Sequence, residues 1–287
     1  MRLGVAAGAT AATIVGASVP ITGMLAGYPV LTGQALRYAL AAAILLLVAR
    51  RLPVPSWRDL PPLLGVVLTG MLGFNALLIA AQQYAEPGFV AAVMGASPIA
   101  LALLARQRSL AAIVGAVVVA AGVVVLSGGG AWHGPGLLLA LLTMAGEVCF
   151  TLFAVGVVKR LGVLGVATWT CIIAAVIGSV LGTFVGGWQV PDAKQALALV
   201  SLAVLVTALA FGLWYFAVHR LGSDRAGVLI GLMPVAGLAA SVLLGVQDLT
   251  FASAVGVVTV TLGCGIALHK GGKSRAVEEP APIALGQ

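Results

Sequence analysis

Long continuous apolar segments, separated by short polar or charged connections, set the pattern of this chain. A hydrocarbon core about 30 Å thick requires roughly 20 apolar residues in a helix that crosses it. The apolar segments have about this length, and their boundaries are read from the charges between them. The pattern predicts ten transmembrane helices, at residues 4–25, 31–49, 61–83, 87–105, 109–127, 135–157, 163–186, 196–217, 226–246 and 250–268.

The apolar segments do not alternate with polar residues, as the strands of a membrane barrel do. Runs such as Ala42–Ala49 and Ile113–Leu126 are continuous. Of the 287 residues, 61% are hydrophobic and 8% are charged, and the mean hydropathy is +1.16. The first segment, at about 22 residues, exceeds the apolar region of a signal peptide, so we expect it to stay. The fold class predicted is an all-α membrane protein.

Lysine and arginine accumulate on the cytoplasmic side of membrane proteins. With the N-terminus inside, 13 of the 15 basic residues fall in cytoplasmic segments, the outside loops hold Lys194 alone, and Arg37 lies within a span. We therefore expect both termini to be cytoplasmic in a multi-pass protein of the bacterial plasma (inner) membrane. The basic residues assigned to the inside are Arg2, Arg50, Arg51, Arg58, Arg106, Arg108, Lys159, Arg160, Arg220, Arg225, Lys270, Lys273 and Arg275.

A weak internal repeat relates the two halves. The segment Gly95-Ala96-Ser97-Pro98 corresponds to Gly231-Leu232-Met233-Pro234 at an offset of 136. Gly115 and Gly122 correspond to Gly256 and Gly263 at an offset of 141. The repeating unit is then five helices, an odd number, so the second copy is inverted in the membrane, an architecture of transporters. The predicted repeats are residues 1–127 and 135–270, followed by a disordered cytoplasmic tail at 271–287.

The repeated segments that end in Pro98 and Pro234 belong to a set of short motifs along nearly the whole chain, and together these motifs resemble the EamA family of the drug/metabolite transporter superfamily. Span 4 carries Ala96-Ser97-Pro98, and span 9 carries Met233-Pro234-Val235. The other motifs are Gly16-Ala17-Ser18-Val19, Leu36-Arg37-Tyr38-Ala39-Leu40-Ala41-Ala42, Arg220-Leu221-Gly222-Ser223-Asp224-Arg225-Ala226, and Leu249-Thr250 leading into Gly256 and Gly263.

This resemblance implies two repeats of five helices with both ends cytoplasmic. It also implies transport, most often export, of amino acids, metabolites or toxic compounds. The family's usual Gly-Glu pair before the fifth and tenth helices is replaced here by Arg106-Gln107-Arg108 and Gln247-Asp248. The resemblance therefore implies a transporter without naming its cargo.

Two charged residues lie within predicted spans, Glu147 near the middle of span 6 and Arg37 in the outer half of span 2. A charge at the bilayer centre costs about 2.5–3.5 kcal/mol on insertion scales, so such groups face a partner or an aqueous cavity. Glu147 is a candidate to bind a cationic group or to accept a coupling proton. The structural alternative is a Glu147–Arg37 ion pair that holds the two halves together.

Further candidates for binding are uncharged. Asn75 is the only asparagine, and it either contacts cargo or hydrogen-bonds a neighbouring helix. Trp169 and Trp214 lie within spans and are candidates to stack on an organic ligand; for Trp214 a lipid-facing position is the alternative. Three prolines inside spans, each removing a helical hydrogen bond, are candidate hinges or simply common membrane-helix residues: Pro20, Pro98 and Pro234.

The favoured function is secondary transport of a small organic molecule, outward and by alternating access. The sequence lacks the Lys-Ser/Thr that a phosphate-binding loop would place after Gly128-Gly129-Gly130, so the driving force is a gradient; proton antiport and uniport both stay open. We expect no enzyme activity, cofactor, metal site or nucleic-acid partner. The partners are a small-molecule substrate and the lipid bilayer, with the oligomeric state left open. A channel or a structural membrane protein is the alternative.

Overall fold

The computed structural model describes residues 1–25, 27–49, 52–105, 109–128, 130–245 and 248–269. This part of the chain is helical, with one isolated β-bridge between Ala85 and Trp132. Fourteen α-helical segments follow in order, joined in three places by other helix types: α1 (Arg2–Ala17), α2 (Val19–Gly23), α3 (Val30–Val48), α4 (Leu60–Gly65), a π-helix (Val66–Leu72), α5 (Gly73–Gln82), α6 (Pro87–Met94), α7 (Ser97–Leu104), α8 (Leu110–Ser127), α9 (Gly136–Phe184), α10 (Ala193–Ser201), a π-helix (Leu202–Leu209), α11 (Ala210–Leu221), α12 (Ser223–Val228), a 3₁₀ turn (Leu229–Gly231), α13 (Leu232–Leu243) and α14 (Phe251–Leu268).

Within the described residues, eight helical runs are long and apolar enough to cross a membrane. The protein is therefore a multi-spanning helical membrane protein, as the hydropathy pattern predicts. The eight runs are Arg2–Gly23, Val30–Val48, Leu60–Gln82, Leu110–Ser127, Gly136–Phe184, Ala193–Leu221, Ser223–Leu243 and Phe251–Leu268.

Two predicted boundaries take a different form in the structure. The spans predicted at 135–157 and 163–186 belong to one run, α9, in which Gly162 adopts φ 71° and ψ 169°. Glycine reaches this left-handed conformation at little steric cost, so the chain turns there without a polar loop. The span predicted at 87–105 is shorter, Phe89–Leu104, and is interrupted at Gly95 and Ala96, between α6 and α7.

Each of the three span prolines lies just beyond such an interruption. Pro20 follows the break between α1 and α2 at Ser18, Pro98 is in the first turn of α7, and Pro234 follows the 3₁₀ turn before α13. A proline cannot donate to the carbonyl four residues earlier, and its ring strains a continuing α-helix. The breaks therefore have a local cause in the sequence.

Two π-helical segments are separated by the same offset as the predicted sequence repeat. The offset of 136 carries Val66, the first residue of one, onto Leu202, the first residue of the other. In the second segment the Thr207 hydroxyl donates to the Leu202 carbonyl, five residues earlier, over 3.2 Å. Wider turns of this kind are rare and often occur at functional sites.

Glycines let several helix pairs approach closely. α8 and α14 run antiparallel, because Gly115 faces Gly263 while Gly122, further along α8, faces Gly256. The second half of α9 packs on α3 in the same way, with Gly178 over Ala35 and Gly182 over Thr32. Small residues at such contacts increase the packing between helices in lipid, where no hydrophobic effect drives association.

Several sequence predictions fall on residues outside the described ranges. They include the predicted disordered tail, 271–287, and part of the basic residues on which the predicted orientation rests. These basic residues are Arg50, Arg51, Arg106, Arg108, Lys270, Lys273 and Arg275.

Candidate functional site

A cavity of about 830 Å³ lies among the helices of the two halves. Its walls are mostly apolar. They come from α1, α2, α3, α5, α6, α7, α8, α9, α11 and α13, together with both π-helical segments and the 3₁₀ turn before α13. A largely apolar concavity with a few polar groups is the usual form of a site for a small organic ligand.

Among the described residues, the lining of the cavity extends to one face of the helical bundle. At that face it is lined by Leu25, Tyr28 and Pro29, from the connection between α2 and α3, and by Gln82 at the end of α5. Along α3 the lining residues end at Tyr38, and those nearer the opposite end of the helix do not contribute. The site is therefore open on the side of the α2–α3 connection and closed on the side of residues 52–59.

An aromatic cluster forms the closed end. Phe150 packs on Tyr215 with ring centroids 5.5 Å apart and on Phe211 at 5.3 Å. Tyr38 and Tyr215 are almost completely buried. The rings of Phe150 and Tyr215 pack between α9 and α11, and Tyr215, behind Phe150, does not line the cavity.

An ion pair joins two segments beyond this closed end. The Arg160 guanidinium pairs with the Asp59 carboxylate, with Nη2 2.5 Å and Nε 2.6 Å from Oδ1. The Ser56 hydroxyl also donates to Asp59, and together these two donors lower the pKa of the Asp59 carboxyl. The Arg160 contact ties the segment before α4 to the middle of α9, and the Ser56 contact lies within that segment.

Arg37 lines the cavity and is held by a single polar partner in the described structure. Its Nε donates to the Thr207 hydroxyl over 2.7 Å, and its guanidinium carbon lies 5.5 Å from the centroid of the Tyr38 ring. Arg37 is 9% exposed and Thr207 is fully buried. The contact joins α3 of the first half to the π-helical segment of the second half.

Glu147 also lines the cavity, in the first half of α9. No ion pair joins it to Arg37; among the described residues, the ion pair found is that of Arg160 with Asp59. The Oε2 atom of Glu147 is buried without a hydrogen-bond partner in the described part of the chain. Its side chain adjoins that of Ser97, whose buried hydroxyl is placed to donate a hydrogen bond to the carboxylate.

Asn75 and Trp214 line the same cavity. The Asn75 amide donates to the Met71 carbonyl of its own helical run over 2.6 Å, so its hydrogen bond is local. Trp214 is 6% exposed and lies beside the aromatic cluster, which gives it a lining position instead of a lipid-facing one. Pro98 and Pro234 contribute to the lining, whereas Pro20 is represented there by its neighbours Ser18 and Thr22.

The structure does not place Trp169 in the wall of this cavity with the other predicted site residues. Its indole nitrogen donates to the Pro53 carbonyl over 2.8 Å, at the closed end of the bundle. In a helix that is apolar on every side, hydropathy does not indicate which face meets a cavity. Trp169 therefore anchors the segment before α4 and not a ligand.

The sequence analysis missed three hydroxyl residues: Thr151 lines the cavity, while Ser97 and Thr207 contact the lining residues Glu147 and Arg37. Hydroxyls are common in membrane helices and usually bond to the backbone of their own helix. The one available signal was the position of Ser97 beside Pro98 in the repeated motif, and Thr151 and Thr207 carried none.

Residues 134–268 match the model of the EamA-like transporter family. This range covers α9 to α14, which supply Glu147, Thr207 and Trp214. The chain carries an EamA-like transporter domain. The family predicted from the sequence motifs is thereby confirmed for this range, and the multi-pass helical protein described above is a membrane transporter.

Similarity to whole proteins extends beyond this domain. The EamA-like protein is 23% identical over 282 residues to the uncharacterized transporter YetK of Bacillus subtilis (strain 168), covering 91% of this chain and 86% of that protein. It is 24% identical over 252 residues to an uncharacterized transporter of Archaeoglobus fulgidus, covering 82% of this chain and 87% of that protein. A solved crystal structure, 21% identical, superimposes with a TM-score of 0.81 over 92% of this chain and 96% of that one, which shows the fold alone.

Proposed function

We propose that this EamA-like transporter is a secondary transporter that exports small organic molecules across the bacterial plasma membrane by alternating access. Candidate cargoes are metabolites, amino acids and drugs. The observation that carries the proposal is the cavity of about 830 Å³, open at one face and closed at the other, which holds the carboxylate of Glu147. A site that faces one side at a time is what alternating access requires.

Ten spans in two inverted repeats, 1–127 and 135–270, are part of this proposal. Counting the two arms of α9 on either side of Gly162 separately, and adding Phe89–Leu104, brings the eight long runs to ten. Gly162 supplies the turn between the sixth and seventh spans. Both termini then lie on one side, which we assign to the cytoplasm from the distribution of lysine and arginine.

The contacts between α8 and α14 support the inverted repeat. If Gly115 corresponds to Gly256, and Gly122 to Gly263, an inverting two-fold axis exchanges the Gly115–Gly263 contact with a Gly256–Gly122 contact. Both contacts are present. The same two-fold axis would exchange the two π-helical segments, which begin at Val66 and Leu202.

The same relation places Glu147 opposite a glycine. Glu147 adjoins Ser97 in the first half, and Ser97 corresponds to Met233 in the second. Gly16 packs against the Met233 backbone, so Gly16 occupies the position in span 1 that Glu147 occupies in span 6. The residue that the two-fold axis relates to Glu147 is therefore Gly16, which has no charged side chain. In this proposal the carboxylate of Glu147 alone serves both the outward-open and the inward-open conformation.

With the termini inside, the open face of the cavity is the outer one. Transport then requires a conformational change in which the cavity closes at the outer face and opens at the end formed by the aromatic cluster. The helix breaks before Pro98 and Pro234, both in the cavity wall, are the places where short segments can reorient. Glu147 is the group at which a cationic part of the cargo, or a coupling cation such as a proton, binds.

A channel fits this geometry less well, because the Phe150–Tyr215 contact closes one end of the cavity. An intramembrane enzyme would need an acid, a base or a nucleophile converging on one point. In the described cavity wall the charged side chains are Glu147 and Arg37.

Counterflow in proteoliposomes tests the proposal. Vesicles preloaded with unlabelled compound are supplied with labelled amino acids, nucleobases or cationic dyes, with and without a pH gradient. We expect transient, saturable accumulation of at least one class, abolished in Glu147→Gln and retained in Glu86→Gln, whose carboxylate is exposed in the α5–α6 connection. Linear, unsaturable uptake of every permeant compound would instead indicate a channel.

A further inference from the structure

The Arg37 side chain presents one edge of its guanidinium to the cavity. Its Nε is bound to the Thr207 hydroxyl, and within the described residues the terminal nitrogens Nη1 and Nη2 have no hydrogen bond or ion pair. Neither nitrogen is enclosed in the packing without a partner, as several side-chain oxygens of the structure are. Since Arg37 lines the cavity, its Nη edge faces the cavity space. This edge carries all the N–H donors of the guanidinium except that of Nε.

Thr207 fixes the direction of that edge. Its hydroxyl accepts from Arg37 Nε over 2.7 Å and donates to the Leu202 carbonyl over 3.2 Å. The second bond spans five residues and follows the wide turn of the π-helical segment Leu202–Leu209. Because the one hydroxyl proton is engaged with Leu202, Thr207 is left to accept from Arg37. A planar guanidinium held in this way at Nε has its opposite edge oriented before a ligand binds.

The positive charge of Arg37 has no acidic partner within ion-pair distance in the described part of the chain. A guanidinium stays protonated in proteins, and a charge inside a membrane span is costly unless it faces a partner or water. Glu147 lines the same cavity but makes no ion pair with Arg37. A ligand with a negative charge would supply the partner that the protein does not.

Gln34 adds a neutral polar group one turn before Arg37 on α3. Side chains three residues apart lie on one helix face, and both residues line the cavity. Gln34 Oε1 is buried without a hydrogen-bond partner among the described residues, so the bundle does not fix the amide. The terminal torsion of a glutamine is broad, and its rotation brings the Nε2 donors to the position of the oxygen. Gln34 and Arg37 thus form a strip of donors in a mostly apolar wall.

The wall beside this strip favours an anion with an apolar body. Phe211 follows Thr207 by about one turn, and Phe211, Phe150 and Trp214 all line the cavity. The Phe150 and Phe211 rings have centroids 5.3 Å apart, a distance at which aromatic rings attract each other. An inorganic anion would leave these rings exposed in a cavity of about 830 Å³, whereas an aromatic or aliphatic acid would cover them.

Charge and shape select a carboxylate among organic anions. One guanidinium balances one negative charge, and a phosphate ester carries more than one at neutral pH. The Glu147 carboxylate in the same wall would add repulsion against a dianion. The two Nη nitrogens of an arginine match the two oxygens of a carboxylate in a bidentate pair.

We propose that the Nη edge of Arg37, with the Gln34 amide beside it, binds the carboxylate of an organic acid whose apolar body packs on Phe211 and Trp214. That this acid is the cargo rests on the proposed transport function, in which Glu147 is left to hold a cation. Binding of the carboxylate itself does not depend on transport.

Thermal unfolding of the full-length protein in detergent tests the site without transport. The probe is sodium benzoate, compared at equal ionic strength with neutral benzamide, with sodium acetate, which lacks the ring, and with sodium chloride. We expect the Tm to rise and saturate with benzoate, to rise less with acetate and to respond little to benzamide or chloride. Arg37→Lys keeps the charge but loses the two-nitrogen edge, so it should weaken the apparent benzoate affinity about tenfold or more. Gln34→Leu should weaken it in the same direction.

Arg160→Lys is the matched control for Arg37→Lys. Arg160 is bound to Asp59 outside the cavity, so this variant should keep the benzoate affinity of the native protein even if its own Tm is lower. Equal stabilisation of the native protein by benzoate and benzamide would overturn the site. Equal benzoate affinities in Arg37→Lys and Arg160→Lys would also overturn it.

Modification with phenylglyoxal tests the site in the native protein without any substitution. The reagent reacts with the terminal nitrogens of arginine, and mass spectrometry identifies the modified residues. We expect benzoate, but not benzamide, to slow modification of Arg37, and neither to protect Arg160, whose side chain is 53% exposed. Modification of Arg37 at the same rate with and without benzoate would overturn the site. An Arg37 that does not react while Arg160 does would contradict the exposure of its Nη edge.

Counterflow separates this proposal from the transport function. Benzoate binding without counterflow of any compound would leave the carboxylate site standing and remove the proposed transport role. Counterflow confined to compounds that lack a carboxylate would leave transport standing and show that Arg37 does not bind the cargo.

Discussion

The backbones of Gly115 in α8 and Gly263 in α14 are in contact. A side chain on either glycine would overlap the backbone of the other. A Cβ atom on Gly115 would stand 2.6 Å from the Gly263 carbonyl oxygen, and one on Gly263 would stand 2.8 Å from that of Gly115. This contact joins the last helix of one predicted repeat to the last helix of the other.

We expect Gly263→Val to destabilise the protein by about 1–3 kcal/mol, because the added atoms must separate two closely packed backbones. Gly265→Val is the control, since a Cβ at Gly265, on the same helix, would have nothing within 4 Å. Unfolding in detergent, followed by circular dichroism, measures the difference. Equal stability of the two variants would show that the α8–α14 contact is looser than described.

The Thr207 hydroxyl accepts a hydrogen bond from a buried arginine, so its removal leaves Arg37 Nε without that partner. We expect Thr207→Val to lower the free energy of unfolding by about 1–3 kcal/mol. Thr207→Ser keeps the hydroxyl and should recover most of the loss. If the valine variant were as stable as the serine variant, Arg37 would not depend on this contact.

The lowered pKa of Asp59 makes its stabilising contribution depend on pH. Because the folded-state pKa lies below the unfolded value of about 3.9, the contribution is fully present above that value and is lost as pH falls through the folded-state pKa. The difference in Tm between the native protein and Asp59→Asn should therefore be largest near neutral pH and shrink below about pH 4.

The Arg160→Gln variant separates the contributions of Ser56 and Arg160 to the lowered pKa of Asp59. Ser56, the larger influence on the Asp59 pKa, remains in that variant, so part of the pH dependence should persist. A Tm difference between native protein and Asp59→Asn that stays constant from pH 7 to strongly acidic pH would contradict the proposed role of these donors.

Two tryptophans of similar sequence context should behave differently. Trp214 lines the cavity, so Trp214→Ala should weaken the apparent affinity for whichever compound shows counterflow. Trp169→Phe removes the hydrogen bond to Pro53 and should cost about 1 kcal/mol of stability with the affinity unchanged. If Trp169→Phe lost affinity and Trp214→Ala did not, Trp169 and not Trp214 would be the tryptophan that lines the cavity.

Hydropathy and glycine or proline positions were sufficient to predict most helices, because lipid selects apolar runs of a set length. Trp169 shows the limit of hydropathy as a signal. The arm of α9 after Gly162 is apolar on every face, so only packing decides which face meets the cavity. The π-helical segments at Val66–Leu72 and Leu202–Leu209 depend on tertiary contacts and left no mark in the sequence. Glu147 was found because a membrane charge is rare, whereas Ser97 and Thr151 were missed because hydroxyls are not.

Sided cysteine labelling tests the central claim, a single cavity that opens to the outer face. In a chain with Cys149, Cys171 and Cys264 replaced, Gln34→Cys would lie in the cavity wall and Trp57→Cys at the opposite, exposed end. A membrane-impermeant thiol reagent should label Gln34→Cys in right-side-out vesicles and Trp57→Cys in inverted vesicles. Labelling of both positions from the same side, or of Gln34→Cys from the inner side alone, would contradict the account.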